Sequence, residues 1–202
     1  MIISKDSNYV FADNFVDELS LAGLKHVCIC PGSRSTPAAI AFAKDNRIKK
    51  WFHLDERSAS FFALGMAKTL DKPVALLSTS GTAAANFYPA VIEAKQSGVP
   101  LIIITADRPA ELWEWGAPQT TDQAKLYNNH AKWAVNLPAP ESTDKMIAYI
   151  RSLASRIYAT AEEGKPGPIH VNMPFRDPLT PQNFHSHSTE LTRQLNGSEK
   201  IS

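Results

Sequence analysis

At 202 residues the chain is long enough for one well-buried α/β domain. Its 44% hydrophobic and 20% charged residues are ordinary globular usage and exclude global disorder. A formal net charge of +1 argues against a nucleic-acid or membrane surface as the main partner, and no apolar run is long enough to span a bilayer.

The N-terminal run Met1-Ile2-Ile3-Ser4-Lys5-Asp6 lacks the layout of a signal peptide, so a cytoplasmic location is expected. Phe11, Phe15 and Leu19 recur every four residues and predict a helix from about Tyr9 to Ala22, with Gly23 just past its end. His26 to Cys30 reads as a short apolar strand. The loop Pro31-Gly32-Ser33-Arg34-Ser35-Thr36-Pro37 follows and leads into a helix through Ala43. Trp51 to Leu54 is the next strand, running through Asp55-Glu56-Arg57 into a helix from Ser58 to Thr69. Val74 to Ser78 is a continuous apolar strand, and Thr79-Ser80-Gly81-Thr82 separates it from a helix over Ala83 to Gln96. Leu101 to Thr105 is strongly strand-like and gives way to a long polar and aromatic loop from Asp107 to about Gln119. Trp133 to Leu137 predicts a strand, Thr143 to Glu163 a long amphipathic helix, and Ile169 to Asn172 the last strand.

Strands without polar alternation, separated by helices, predict a three-layer α/β fold: a six-stranded parallel sheet with helices on both faces. Cys28 and Cys30 lie two apart on one strand, so they point to one face and read as small buried apolar residues. The domain is expected to span 1–180. The Ser/Thr/Asn-rich stretch 181–202, which holds His185 and His187, reads as a linker or disordered tail.

In an open parallel sheet ligands sit outside the carboxyl ends of the strands. Four loops would line that edge here. In the first, Arg34 offers a planar fork suited to a carboxylate or phosphate. In the second, Glu56 is flanked by Phe61, Phe62 and Leu64, surroundings expected to raise its pKa. In the third, small residues after Gly81 would let a ligand approach backbone N–H groups. The fourth is Asp107-Arg108-Pro109, continuing through Trp113, Trp115 and Gln119. Each also has a plainer meaning: a turn, a helix cap, a solvated ion pair, or a first-turn acid favoured by the helix dipole. No Gly-x-Gly-x-x-Gly follows the first strand and no Walker A lysine motif occurs, which weakens dinucleotide and nucleoside-triphosphate readings.

Taken together, Cys30-Pro31-Gly32-Ser33-Arg34-Ser35-Thr36-Pro37, His53-Leu54-Asp55-Glu56-Arg57, Thr79-Ser80-Gly81-Thr82-Ala83 and Thr105-Ala106-Asp107-Arg108-Pro109 resemble the N-terminal part of thiamine-diphosphate enzymes. Within that superfamily the chain looks like the 2-succinyl-5-enolpyruvyl-6-hydroxy-3-cyclohexene-1-carboxylate synthases of menaquinone biosynthesis, over roughly Tyr9 to Pro178.

The resemblance implies a pyrimidine-binding domain in which Glu56 is catalytic and bonds the aminopyrimidine ring of thiamine diphosphate. Ser80, Gly81, Thr82 and Asn86 would lie along the cofactor, and Ser33, Arg34, Arg108 and Gln119 around the substrate. It assigns Trp113 and Trp115 to packing. It implies decarboxylation of 2-oxoglutarate and addition of the succinyl-semialdehyde carbanion to isochorismate. Mg²⁺ or Mn²⁺ would be held by a C-terminal domain whose Gly-Asp-Gly-type motif does not occur here, with a homodimer or homotetramer completing the site. The 202 residues alone are therefore expected to be inert. Another thiamine-diphosphate carboligase or 2-oxoacid decarboxylase, and a non-catalytic pyrimidine-domain subunit, stand as alternatives.

Overall fold

The computed structural model describes residues 7–181. Met1 to Asp6 and the expected tail beyond Pro181, with His185 and His187, lie outside the described residues.

Six strands form one parallel sheet: β1 (His26–Ile29), β2 (Lys49–Phe52), β3 (Val74–Ser78), β4 (Leu101–Asp107), β5 (Trp133–Asn136) and β6 (Ile169–Pro174), in the order β2-β1-β3-β4-β6-β5. The helices are α1 (Ser7–Ala22), α2 (Thr36–Lys44), α3 (Glu56–Leu70), α4 (Thr82–Ala85), α5 (Tyr88–Ser97) and α6 (Asp144–Glu162). The expected three-layer architecture is what forms.

Strand side chains alternate between two cores. Val27, Ile29, Ala75, Leu77, Ile102 and Ile104 face α1, α2 and α6, whose Phe11, Phe15, Phe42 and Ile157 close the larger core. Cys28, Leu76, Leu101 and Ile103 face α3 and α5, where Ala59, Ala63, Ala67 and Ala94 let the helices approach closely. Each fully buried large apolar side chain contributes about 1.5–3 kcal/mol. The Thr143 hydroxyl caps α6 by accepting from the Met146 N–H at 3.2 Å.

Two predicted elements are corrected. The second strand begins at Lys49 and ends at Phe52, two residues before the expected span, because its register is set by pairing with β1 (His26 with Lys49, Ile29 with Phe52). His53 and Leu54 therefore belong to the loop. The helix expected over Ala83 to Gln96 is broken into α4 and α5. Pro89, at the start of α5, has no N–H to give, and its ring clashes with a continuing helix.

Candidate active site

The chain runs from β1 out to β2, then returns past β1 to β3, so the winding reverses between β1 and β3. At such a reversal the loops diverge and leave a crevice at the carboxyl edge. The four predicted loops follow β1, β2, β3 and β4, which are neighbours in the sheet, so one edge gathers all of them.

Asp55 is the N-cap of α3, its side chain accepting from the Ser58 N–H at 3.0 Å. That bond is the main reason its carboxyl lies below the usual aspartate range. Glu56 follows as the first helical residue and is half-buried. Its charge reaches the buried Cys30 thiol, which burial first, and then Glu56, push up to about 12. Leu64 is buried, but Phe61 and Phe62 are 46% and 41% exposed, so the apolar wall expected around Glu56 is open on one side.

Ser33 and Arg34 lie in a short 3-10 turn (Ser33–Ser35), Ser33 exposed and Arg34 buried. One guanidinium nitrogen of Arg34 donates to the Phe175 carbonyl at 2.8 Å and to the exposed Asp177 carboxylate at 3.2 Å. Its buried Nε has no protein partner. Part of the fork is thus committed to the chain that leaves β6. Arg108 donates to the Ser80 hydroxyl and to the Gln119 carbonyl (2.9 Å). Burial, and then the positive charge of Arg34, hold the Arg108 guanidinium below the usual arginine range. The charge of Arg34 is thus felt at Arg108.

Gly81 adopts φ +80, a conformation that side chains rarely take, and a Cβ there would meet Gln119 Cγ at 3.0 Å. Its N–H donates to Gln123 Oε1 at 2.6 Å. Thr82 starts α4 and is exposed. Asn86 ends that helix with its side-chain amide on the Thr82 carbonyl at 2.9 Å. Gln119 has φ 58 and directs Nε2 to the Ser80 carbonyl at 3.2 Å. Trp113 packs as assigned, its indole N–H on the Arg108 carbonyl at 2.9 Å. Trp115 does not, being 83% exposed.

Beneath the loops lies a buried polar network that the residue-level reading missed. Gln123 Nε2 donates to Asn172 Oδ1 (3.0 Å) and to the Ala106 carbonyl (3.1 Å). Asn172 Nδ2 donates to Asp107 Oδ2 and to Asn136 Oδ1, both at 2.8 Å. Asp107 Oδ1 accepts the Arg108 backbone N–H at 2.7 Å. Burial nevertheless raises the Asp107 pKa, its hydrogen bonds to Asn172 and Arg108 offsetting only part of the effect. The Thr105 hydroxyl gives its one proton to Asn172 Oδ1 at 2.9 Å, so at 2.8 Å it accepts from His170 Nε2–H. The available signal was polar residues inside otherwise apolar strands: Thr105 in β4, and His170 and Asn172 in β6.

An acid at the start of a helix, two arginine-bearing loops and a glycine-bearing loop on one edge can hold an anionic ligand beside a carboxyl. Proteins of known kind share the underlying sequence. A 2-succinyl-5-enolpyruvyl-6-hydroxy-3-cyclohexene-1-carboxylate synthase of Oceanobacillus iheyensis is 53% identical over 171 residues, covering 85% of this chain and 30% of that protein. Proteins of the same description from Roseiflexus castenholzii and Haloarcula marismortui are 50% and 51% identical over 185 and 174 residues, with 91% and 86% of this chain covered and 32% and 29% of theirs. The chain thus spans about 30% of the length of the curated relatives it matches. Residues 10–126, which carry all four of these loops, match the model described as thiamine pyrophosphate enzyme, N-terminal TPP binding domain, and the chain belongs to that family.

Proposed function

We propose that this chain is the N-terminal, cofactor- and substrate-binding part of a thiamine-diphosphate-dependent 2-succinyl-5-enolpyruvyl-6-hydroxy-3-cyclohexene-1-carboxylate synthase of menaquinone biosynthesis. The carrying observation is that the loops bearing Arg34, Glu56 and Arg108 follow β1, β2 and β4 and so share one edge of the sheet. Because the charge of Arg34 is felt at Arg108, an anion beside either guanidinium would relieve that repulsion. The proposed substrates, 2-oxoglutarate and isochorismate, each bring two carboxylates, whereas a small monoanionic 2-oxoacid would leave one arginine without work. The sequence identity to the synthases supports the same choice.

The residues fit the cofactor. Glu56 offers a half-buried carboxyl at the carboxyl edge, and Thr82, exposed at the start of α4, lies on the neighbouring loop. When bound, thiamine diphosphate supplies the electron sink that lets a 2-oxoacid lose carbon dioxide and form a new carbon–carbon bond. Glu56 would hold the aminopyrimidine ring through a hydrogen bond to its ring nitrogen, a position from which it can share a proton with that ring. Ser80, Thr82 and Asn86 line the cofactor side. Ser33, Arg34, Arg108 and Gln119 fix the substrate carboxylates, so that orientation is settled before the chemistry begins. Mg²⁺ or Mn²⁺ would be bound with the diphosphate by the part of the relatives' length that this chain does not match. A cytoplasmic homodimer or homotetramer completes the reading, in keeping with two free, buried cysteines.

The test is isochorismate consumption by the full-length protein with 2-oxoglutarate, thiamine diphosphate and Mg²⁺, beside Glu56→Gln. Consumption that needs every component and falls at least 100-fold in the variant supports the proposal. Release of carbon dioxide from pyruvate, with no isochorismate consumed, would move the chain to another carboligase or decarboxylase. Arg34 and Arg108 substitutions should then barely alter turnover.

A further inference from the structure

The hydrogen bonds beneath the site form a closed ring. From the Gly81 N–H the path runs to Gln123, to Asn172, to Asp107 and to the Arg108 N–H. The Arg108 side chain then returns to Ser80, the residue before Gly81. The ring joins the segment after β3 to the connection after β4, which are bridged further by Gln119 and by the Tyr127 hydroxyl on the Ala84 carbonyl. Gln123 lies farther along the same connection that follows β4, four residues past Gln119. A tight turn fixes it there, its N–H on the Thr121 carbonyl at 2.8 Å and its own carbonyl accepting from the Leu126 N–H at 3.1 Å. It is fully buried, and every polar atom of its side chain is used. An amide suits the position because it must accept from Gly81 and donate to Asn172 at once, which neither a carboxylate nor an apolar group does.

We propose that Gln123 is a positioning residue that locks the register of the Ser80–Thr82 loop to that of Arg108, so that cofactor and substrate anion are held at a fixed separation. The functional part of this statement rests on the proposed roles of those two loops. The mechanical part does not. A half-broken buried network leaves polar groups unpaired and lets the members shift, so loss of Gln123 should be felt at Arg108, which it does not touch.

Amide hydrogen exchange on the 202-residue chain tests the mechanical part with no ligand present. In Gln123→Leu the Gly81 N–H loses its acceptor directly. The ring requires that the Arg108 N–H, bonded to Asp107, also exchange at least tenfold faster while Leu76 in β3 keeps its rate. An unchanged Arg108 rate overturns the proposal. Should Leu76 be lost as well, Gln123→Glu replaces the variant. It keeps the Gly81 acceptor and regains the donor on protonation, so Arg108 protection should return as pH falls from 8 to about 5.5. Absence of that return is equally fatal. In the full-length enzyme, well below its melting temperature, Gln123→Leu should raise both the thiamine diphosphate Kd and the 2-oxoglutarate KM about tenfold, with kcat reduced less than threefold. A melting shift with unmoved Kd and KM would mark Gln123 as structural only. If no isochorismate is consumed even by the unaltered protein, the functional assignment falls while the exchange experiment still decides the ring.

Discussion

Gly32 and Thr79 are pressed together at the point where the sheet reverses its winding: a Cβ on Gly32 would sit 2.5 Å from the Thr79 Cβ. Gly32 has φ −160 and ψ 164, an extended conformation open to any residue, so its requirement is steric and not torsional. Gly32→Ala should cost about 1–3 kcal/mol in urea denaturation, the usual range for overpacking. Thr79→Ala will not rescue it, because the Cβ itself is the obstacle. Rescue by that second change would mean the loops separate more easily than their packing indicates.

His170 sets an acid limit on stability. It is buried against Tyr127, the rings edge to face with centroids 4.7 Å apart, and burial depresses its pKa from 6.5 to about 4. Between those values the unfolded chain binds a proton that the folded chain refuses. Stability is therefore full above about pH 6.5 and falls as pH drops toward 4, by roughly 3 kcal/mol in all. His170→Gln, which can still donate to Thr105, should flatten that dependence by one proton. Equal slopes in urea titrations of both proteins across pH 4.5–7 would contradict it.

Cys28 and Cys30 should be inert in the native state. Burial pushes both thiols up to about 12, far from the thiolate that reacts. A colourimetric thiol titration should find none in the folded chain at pH 8 and two after unfolding, since the sequence holds two cysteines. A native titre of one or two would show that the layer between β1 and α3 opens readily.

Tyr127→Phe tests the seat of α4. The Tyr127 hydroxyl donates to the Ala84 carbonyl at 2.6 Å inside the smaller core. Removing it keeps the ring packing and should cost about 1 kcal/mol. On the cofactor roles proposed for Thr82 and Asn86, at the two ends of that helix, the thiamine diphosphate Kd of the full-length protein should rise by a few-fold. Unchanged stability and affinity together would show that α4 is held elsewhere.

Local signals made most of this fold legible. Val74 to Ser78 forms the strand that its unbroken apolar run indicates, and the carboxyl-edge loops follow from strand and helix alternation alone. What failed did so for traceable reasons. The β2 boundaries depend on register against β1, a non-local quantity, while the split between α4 and α5 was signalled locally by Pro89 and passed over. The site's upper layer could be named from its motif residues. Its lower layer could not, because Gln123 meets Asn172 49 positions away and Thr105 meets His170 across 65. No spacing rule connects such pairs; only strand neighbours such as β4 and β6 bring them together.

The insertion of β6 between β4 and β5 fixes an order of assembly during translation. Among the described strands β5 pairs only with β6, so it has nowhere to dock until residues past it have been made. A nascent chain that has emerged only to Pro168 already holds Glu56, Ser80 and Arg108, yet lacks Asn172, the keystone under them. The polar layer under the site can therefore close only once the sixth strand is in place.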